Sequence, residues 1–325
     1  MLAFLIRRFM QSGVVLLAMS VLVFVGVYAI GDPVSLLINP RATQAEIDLA
    51  IHNLGLDRPL WEQYVFFLRD ALQGDLGDSF IHNVPALKLI LNRLPATLEL
   101  VSLAMLMAVC IGIPLGMWAG LKTESIHSRT IMAGSIFGFS LPSFWVGMML
   151  VVVFSITLGW LPTSGRGETV NVLGVGLSFL TLDGLRHLIL PVINLSLFPM
   201  SLVIRLTRAG MQETLPLDFV KLARAKGLTT RRVILVHVLK NILIPIVTVI
   251  GINFGGLLAF AVVTETVFAW PGMGKLIIDS INLLDRPVVV AYLLLTVLMF
   301  TIINLVVDIL YSVLDPRVRL GDQKQ

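Results

Sequence analysis

The sequence predicts an all-α integral membrane protein with six transmembrane helices, and three observations carry that expectation. The 325 residues are 57% hydrophobic and only 14% charged, with a mean hydropathy of +0.92. A soluble domain has about 25% charged residues, so this chain lacks the charge to cover a soluble surface. Six segments, 9–30, 96–121, 131–160, 187–206, 242–265 and 288–314, are apolar over the roughly 20 residues that a membrane-crossing helix needs. Basic residues collect on alternate connections between them.

The first span follows Arg7 and Arg8. Its apolar run is too long for a signal peptide and no small-residue cleavage site follows, so it reads as a retained anchor. The third span contains Pro142, which predicts a kink or a broken start. With the N-terminus inside, the inner segments hold 15 of the 24 Lys and Arg and only 5 acids, against 9 basic and 12 acidic residues outside. Positive charge marks the cytoplasmic side, and an even number of spans places both termini there.

The outer segment 31–95 is the one sizeable stretch of soluble character. A helical pattern at 43–54 and turn residues around Gly74-Asp75-Leu76-Gly77-Asp78 predict a small cap of helices and turns. Gly112, Gly116 and Gly120 recur every fourth residue, and Gly134/Gly138 and Gly251/Gly255 repeat the step. Small residues on one face let helices approach closely. The stripe therefore reads either as a moving or subunit-facing interface or as packing within the bundle.

Glu99, Glu265 and Asp308 are acids in or beside spans, where ionisable residues are functional candidates. Glu99 falls in the first turn of its expected helix, where the dipole favours an anion. Asp308 stands four residues from Asn304. Interhelical hydrogen bonding is the stronger reading, because one deep acid makes no proton relay. Cys110 is a single cysteine in an apolar span, which excludes a disulfide framework and a thiolate metal cluster. The five histidines lack zinc-ligand spacing, and no nucleophile has a recognisable base nearby in sequence. Gly272-Met273-Gly274-Lys275 lacks the spacing of a phosphate loop.

The longest basic interruption lies at 217–245, flanked by Arg205 and Arg208. Asp218 is placed to cap a first helix, with Phe219, Leu222, Ala223 and Lys226 on one face. Gly227 suits the left-handed residue that ends it, and Thr229 or Thr230 is placed to cap a second helix running toward the membrane. A structured, basic, half-apolar loop reads as a docking surface for a cytosolic partner.

These residues also carry a resemblance. Ala223-Arg224-Ala225-Lys226-Gly227, followed by His237, Leu239, Asn241 and Pro245, resembles the EAA loop of permease subunits of ABC importers, nearest the dipeptide, oligopeptide and nickel group. The acid and first alanine of that consensus fall on Lys221 and Leu222, and the proline expected after Leu239 is Lys240. The segment ETVFAWPGMG at 265–274 resembles the outer loop before the last helix of peptide-type permeases. So do Leu54-Gly55-Leu56-Asp57-Arg58-Pro59-Leu60, Gly74-Asp75-Leu76-Gly77, Leu94-Pro95-Ala96-Thr97-Leu98-Glu99-Leu100, Gly159-Trp160-Leu161-Pro162 and Asp315-Pro316-Arg317-Val318-Arg319.

The resemblance implies a type I ABC importer permease core of five helices at 96–314, an N-terminal helix at 1–30, a periplasmic cap at 31–95 and a cytoplasmic tail at 315–325. It implies an ATPase-coupling loop at 217–231, with Leu217, Asp218, Phe219, Leu222, Ala223, Arg224, Ala225, Lys226, Gly227 and Leu228 as its contact residues. Glu265, Phe268, Trp270, Pro271 and Gly272 are implied as an outer gate or binding-protein contact; an interfacial anchor is the other reading of Trp270.

The implied partners are a second homologous permease, two cytosolic ABC ATPases carrying ATP and magnesium, and a periplasmic or extracellular solute-binding protein. The chain itself is implied to sit in the bacterial inner membrane, to bind no cofactor, metal or nucleic acid, and to catalyse nothing. Dipeptides or short oligopeptides are the implied cargo, with glutathione, nickel chelates and antimicrobial peptides as alternatives. A secondary active transporter is the alternative of a different class. The absence of a charge relay and of internal repeats disfavours it.

Overall fold

The structure is a computed structural model that describes residues 2–29, 44–53 and 57–314. The tail 315–325, with its Asp315-Pro316-Arg317 motif, lies outside the described residues, as do 30–43 and 54–56. The elements in order are α1 (Leu2–Ala29), α2 (Gln44–Asn53), α3 (Leu60–Leu72), α4 (Ala86–Leu121), α5 (Ile126–Ser140) and α6 (Ser143–Leu150). A π-helical turn (Val151–Thr157) extends α6. A two-stranded hairpin follows, β1 (Val170–Val172) and β2 (Val175–Leu177), then α7 (Leu182–Thr214), α8 (Asp218–Ala225) and α9 (Thr230–Arg232). A second π-helical segment (Val233–Val238) leads into α10 (Leu239–Val267), followed by α11 (Met273–Asn282) and α12 (Arg286–Leu314).

Among the described residues, five helices are long and apolar enough to cross a membrane, and six spans result when one bent pair counts as one. The bent pair is the third span: α5 and α6 meet at 106°. The turn there is a true break. Leu141 (φ −81°, ψ 138°) and Pro142 (φ −61°, ψ 127°) are both extended, because the proline ring crowds the preceding residue out of the helical region.

Pro95 behaves differently. Expected to mark the end of the outer segment, it sits inside α4, which starts at Ala86. The start is set upstream, where the Ala86 N–H donates to the Gly77 carbonyl at 2.9 Å and the Ser79 N–H to the Val84 carbonyl at 2.9 Å. An interior proline removes one ladder bond, and neighbouring groups in a helical bundle compensate for that loss. One consequence is that Glu99 lies several turns into α4, so the helix dipole does not account for it. The hairpin has no counterpart in the sequence expectations. Its two-residue turn places Leu173 at φ 52° and Gly174 at φ 85°, the geometry of a type I′ turn.

By packing, the chain forms two units. The first joins 1–94 to 276–301, so the start of α12 belongs with the N-terminal part rather than with the core at 96–314. In this unit Phe24 of α1 meets Tyr64 edge-on at 5.4 Å and Phe67 at 5.7 Å. The hydroxyls of Ser20 and Tyr64 lie 2.8 Å apart. The Asp285 carboxylate accepts from Ser79 Oγ at 2.5 Å and from the Phe80 N–H at 3.1 Å, fixing the 77–85 turn to the head of α12. His52 Nδ1 stands 2.8 Å from Asp57 Oδ2, and that bond holds the Asp57 carboxyl below its usual range.

Among the described residues, the second unit joins 95–275 to 302–314. Its spine is the glycine stripe of α4. Gly112 faces Val203, Gly116 faces Ile204 and Thr207, and Gly120 faces Arg208 and Met211, all on α7. The partners climb in step, so the two helices run parallel in contact. The stripe is packing within the bundle. A β-carbon at Gly116 would stand 2.5 Å from Thr207 Cβ and 2.7 Å from the Ile204 carbonyl oxygen, closer than real atoms come. Gly116→Leu is therefore expected to destabilise the purified chain by about 3 kcal/mol or more through overpacking. At Gly134 a β-carbon meets nothing within 4 Å, so Gly134→Leu leaves the melting temperature of the purified chain nearly unchanged. Equal melting temperatures for the two variants would contradict the packing role.

Candidate functional site

The helix α8 and the following turn, expected on the cytosolic side, are built as a mounted platform. The helix begins one residue earlier than an Asp218 cap would set it: Leu217 holds the N-cap position, and Asp218 is the first helical residue. Asp218 accepts from Lys221 Nζ at 2.9 Å. Thr229 precedes α9, but its side chain makes no capping bond. At the other end, the Leu228 N–H donates to the Ala223 carbonyl at 3.3 Å and the Gly227 N–H to the Arg224 carbonyl at 2.9 Å. Gly227 lies at φ 76°. Together these make a Schellman ending, which takes a left-handed residue after the last turn.

The apolar residues of α8 divide differently from the expected single face. Val220 and Ala223 are buried against Met211, Val233, Ile234, Val238 and Ile242, with Leu228 packed on the same cluster. Leu217, Phe219 and Leu222 stay exposed at 48%, 40% and 56%. Arg224, Ala225, Lys226 and Gly227 are exposed beside them, as are Arg231 and Arg232. One face fixes the helix to α7 and to the base of α10, and the other presents an apolar ridge ringed by cations.

In the same unit, at the other end of α10, the ETVFAWPGMG segment folds over its own acid. Glu265 is 0% exposed. Its carboxyl accepts from Thr97 Oγ1 at 2.6 Å and from the Lys275 N–H at 3.0 Å, and Thr97 Oγ1 accepts from the Met273 N–H at 2.8 Å. Gly272 and Gly274 lie flat against the carboxyl, where a β-carbon at either would collide with it. Gly272-Met273-Gly274-Lys275 is thus a turn at the head of α11 that closes on the chain's own Glu265 carboxyl.

The turn is reached through a second Schellman ending. The Trp270 N–H donates to the Glu265 carbonyl at 2.8 Å and the Ala269 N–H to that of Thr266 at 3.2 Å, with Ala269 at φ 46°. Trp270 and Phe268, 0% and 2% exposed, are inside the protein, and Trp270 Nε1 donates to the Ala96 carbonyl at 2.9 Å. Neither ring has surface with which to anchor in lipid or to touch a partner directly. That corrects both the anchor reading and the direct-contact reading for these two side chains.

A buried ion pair adjoins this turn. Arg166 contacts Glu99 Oε2 through Nη2 at 2.5 Å and Nε at 3.2 Å, and donates to the Gly176 carbonyl at 2.5 Å. Glu99 Oε1 accepts from the N–H groups of Ser178 at 2.6 Å and Phe179 at 3.0 Å. The Arg166 guanidinium lies 5.5 Å over the Trp270 ring, and the Gly165 N–H donates to the Phe268 carbonyl at 2.9 Å. The 158–181 connection is thereby tied to both α4 and the outer turn. Arg166 is absent from the sequence expectations; its one signal is the Gly165-Arg166-Gly167 setting, with φ 93° and 70° at the glycines. A cavity beside the break of the third span, lined in part by Asn194 and Thr264, is a further feature that the sequence did not disclose.

Five long apolar helices, with the bent pair as a sixth candidate span, define a multi-pass membrane protein. The family model for the binding-protein-dependent transport system inner membrane component matches residues 112–320, and that for the N-terminal part of such membrane components matches 1–101. The chain belongs to this family: it is a multi-pass membrane permease subunit of a bacterial ABC importer. It is 40% identical to the di/tripeptide transport system permease protein DppB of Pseudomonas aeruginosa (strain UCBPP-PA14), over 98% of this chain and 99% of that protein. The oligopeptide transport system permease protein AppB of Bacillus subtilis (strain 168) is 37% identical over 98% and 99%. The glutathione transport system permease protein GsiC of Escherichia coli O6:H1 is 39% identical over the same shares. Among solved structures, an inward-facing MetNI methionine ABC transporter shares the fold, with TM-score 0.55 and 16% identity over 70% of this chain and 96% of that one.

Thr97 makes two of the outer turn's bonds with one hydroxyl. Thr97→Val removes both and leaves buried polar groups unpaired, at about 1–3 kcal/mol each. The variant is expected to melt well below the wild type, while Thr97→Ser retains most of the stability. Indistinguishable melting of the valine and serine variants would show that these bonds do not hold the turn.

Proposed function

We propose that this chain is one of two permease subunits of an inner-membrane ABC importer for dipeptides or short oligopeptides. Both termini face the cytoplasm. Two cytosolic ATPases bind and hydrolyse ATP with magnesium, and an outer solute-binding protein delivers the cargo. The chain contributes half of the path and no catalysis. The observation that carries the coupling role is the exposed Phe219–Leu222 ridge, three residues apart on a helix whose other face is packed into the bundle. A ridge so mounted passes on displacement rather than absorbing it. The peptide cargo is supported by the di/tripeptide and oligopeptide relatives. Glutathione is the second reading, supported by a relative of nearly equal identity, and it too is a small peptide. Uptake of labelled dialanine and of glutathione by the reconstituted complex separates the two.

Two outcomes test the coupling face. A β-carbon added at Gly227 would meet open space, but the backbone there is left-handed, so Gly227→Val adds strain of about 1–3 kcal/mol without a clash. It should abolish ATP hydrolysis stimulated by the loaded binding protein, while membrane insertion persists. Normal transport by that variant removes the coupling role. Phe219→Ala should weaken ATPase association in detergent, where no anionic bilayer exists, by about tenfold or more, as loss of an apolar anchor does. If charge reversal at Arg224 and Lys226 weakens the complex and Phe219→Ala does not, the basic rim serves lipid headgroups instead.

A further inference from the structure

A cavity of about 420 Å³ opens at the break of the third span, within the range of about 300–1,000 Å³ usual for small-molecule sites. Its walls include Phe139 next to the break, Asn194 and Phe198 of α7, and Gly256, Phe260 and Thr264 of α10. Two features of these walls, and a cation stacked on one of them from outside the lining, point to a ligand.

Asn194 is 3% exposed. Its Nδ2 donates to Thr264 Oγ1 at 3.0 Å, which orients the amide, while its Oδ1 has no partner. A buried acceptor left unpaired is costly, and a donor arriving in the cavity relieves that cost. The aromatic walls come next. Phe139 and Phe198 stack with centroids 5.0 Å apart, and Phe260 is 73% exposed. The third feature is a cation. Arg205 lies 4.7 Å over the Phe139 ring, and its Nε has no partner. Asn194, Phe198, Ser201 and Arg205 recur at helical spacing, so they share one face of α7. Along that face an amide acceptor, an aromatic wall and a cation follow one another toward the cytosolic end.

We propose that this cavity is a site within the chain for the transported peptide, a short zwitterion with an apolar side chain. A backbone N–H or the ammonium group donates to Asn194 Oδ1, the side chain lies among Phe139, Phe198 and Phe260, and the C-terminal carboxylate points toward Arg205. The proposal rests on the peptide-importer reading above and assigns the residues through which the cargo passes.

The test uses the complete complex in proteoliposomes with Ala-Phe as the probe. A β-carbon at Gly256 meets nothing within 4 Å, so Gly256→Leu fills the cavity without a clash. Gly256→Leu and Asn194→Leu should each reduce Ala-Phe uptake by about tenfold or more, equivalent to losing one buried hydrogen bond or more. ATP hydrolysis stimulated by the loaded binding protein should persist in both. Wild-type uptake by both assembled variants overturns the site and leaves the importer reading standing. Failure of the wild-type complex to import Ala-Phe or any other dipeptide overturns both readings. If Gly256→Leu does not assemble, a dipeptide carrying a benzophenone side chain decides on the wild-type complex. Crosslinks to α7 or α10 around Asn194, Phe198 or Phe260 support the site, and crosslinks confined to other segments overturn it.

Discussion

One end of the second packing unit is organised around the carboxyl group of Glu265. A carboxyl in an apolar interior is costly unless every oxygen is bonded, and here the neighbouring sequence supplies the bonds. Threonine at 97 brings a hydroxyl. Glycines at 272 and 274 bring the backbone close enough for the Lys275 N–H to reach the second oxygen. Trp270 and Phe268 are buried as the chain turns back to make that approach, and Phe268 then offers its carbonyl to Gly165. The Glu99–Arg166 pair stands on this arrangement, with the guanidinium over the Trp270 ring. A short run that looks in sequence like a surface loop is thus among the most enclosed parts of the protein.

The cytosolic platform follows a different logic. Val220 and Ala223 are the residues whose burial fixes α8, and Phe219 and Leu222 remain in solvent beside exposed basic residues. Exposed apolar side chains in a contiguous strip mark contact surfaces. Their position on a helix already held in place makes the strip preformed.

Much of this was legible in the amino-acid sequence. The apolar runs placed the spans, and Gly227 marked the helix ending in advance. The family resemblance, carried by short motifs, pointed to the permease fold. What escaped was non-local. Pro95 and Pro142 look alike in sequence, yet one is absorbed into α4 and the other breaks a span. Both follow a helix already under way, α4 from Ala86 and α5 from Ile126, so the local sequence does not tell them apart. Arg166 is 67 residues from Glu99 in sequence, and no local pattern announces such a pair. The hairpin turn Leu173-Gly174 lacks the usual Asn-Gly signal. Asn194 lies in an apolar run without any motif; the partner that orients it, Thr264, sits 70 residues later.

The helical segment from Thr230 to Val267 is 38 residues long, about 55 Å at the usual rise per residue. Its lower end is fused to α8 through Val233, Ile234 and Val238. Its upper end carries Glu265. The platform and the Glu265 lock are therefore at the two ends of a single rod. Its soft points are internal: the π-helical stretch Val233–Val238 and the missing ladder bond at Pro245. A tilt imposed at the foot arrives at the head as a lever stroke unless one of those joints bends. Any displacement passed between those two ends travels along one helix, so the stiffness of Val233–Val238 and of the turn at Pro245 sets how much arrives.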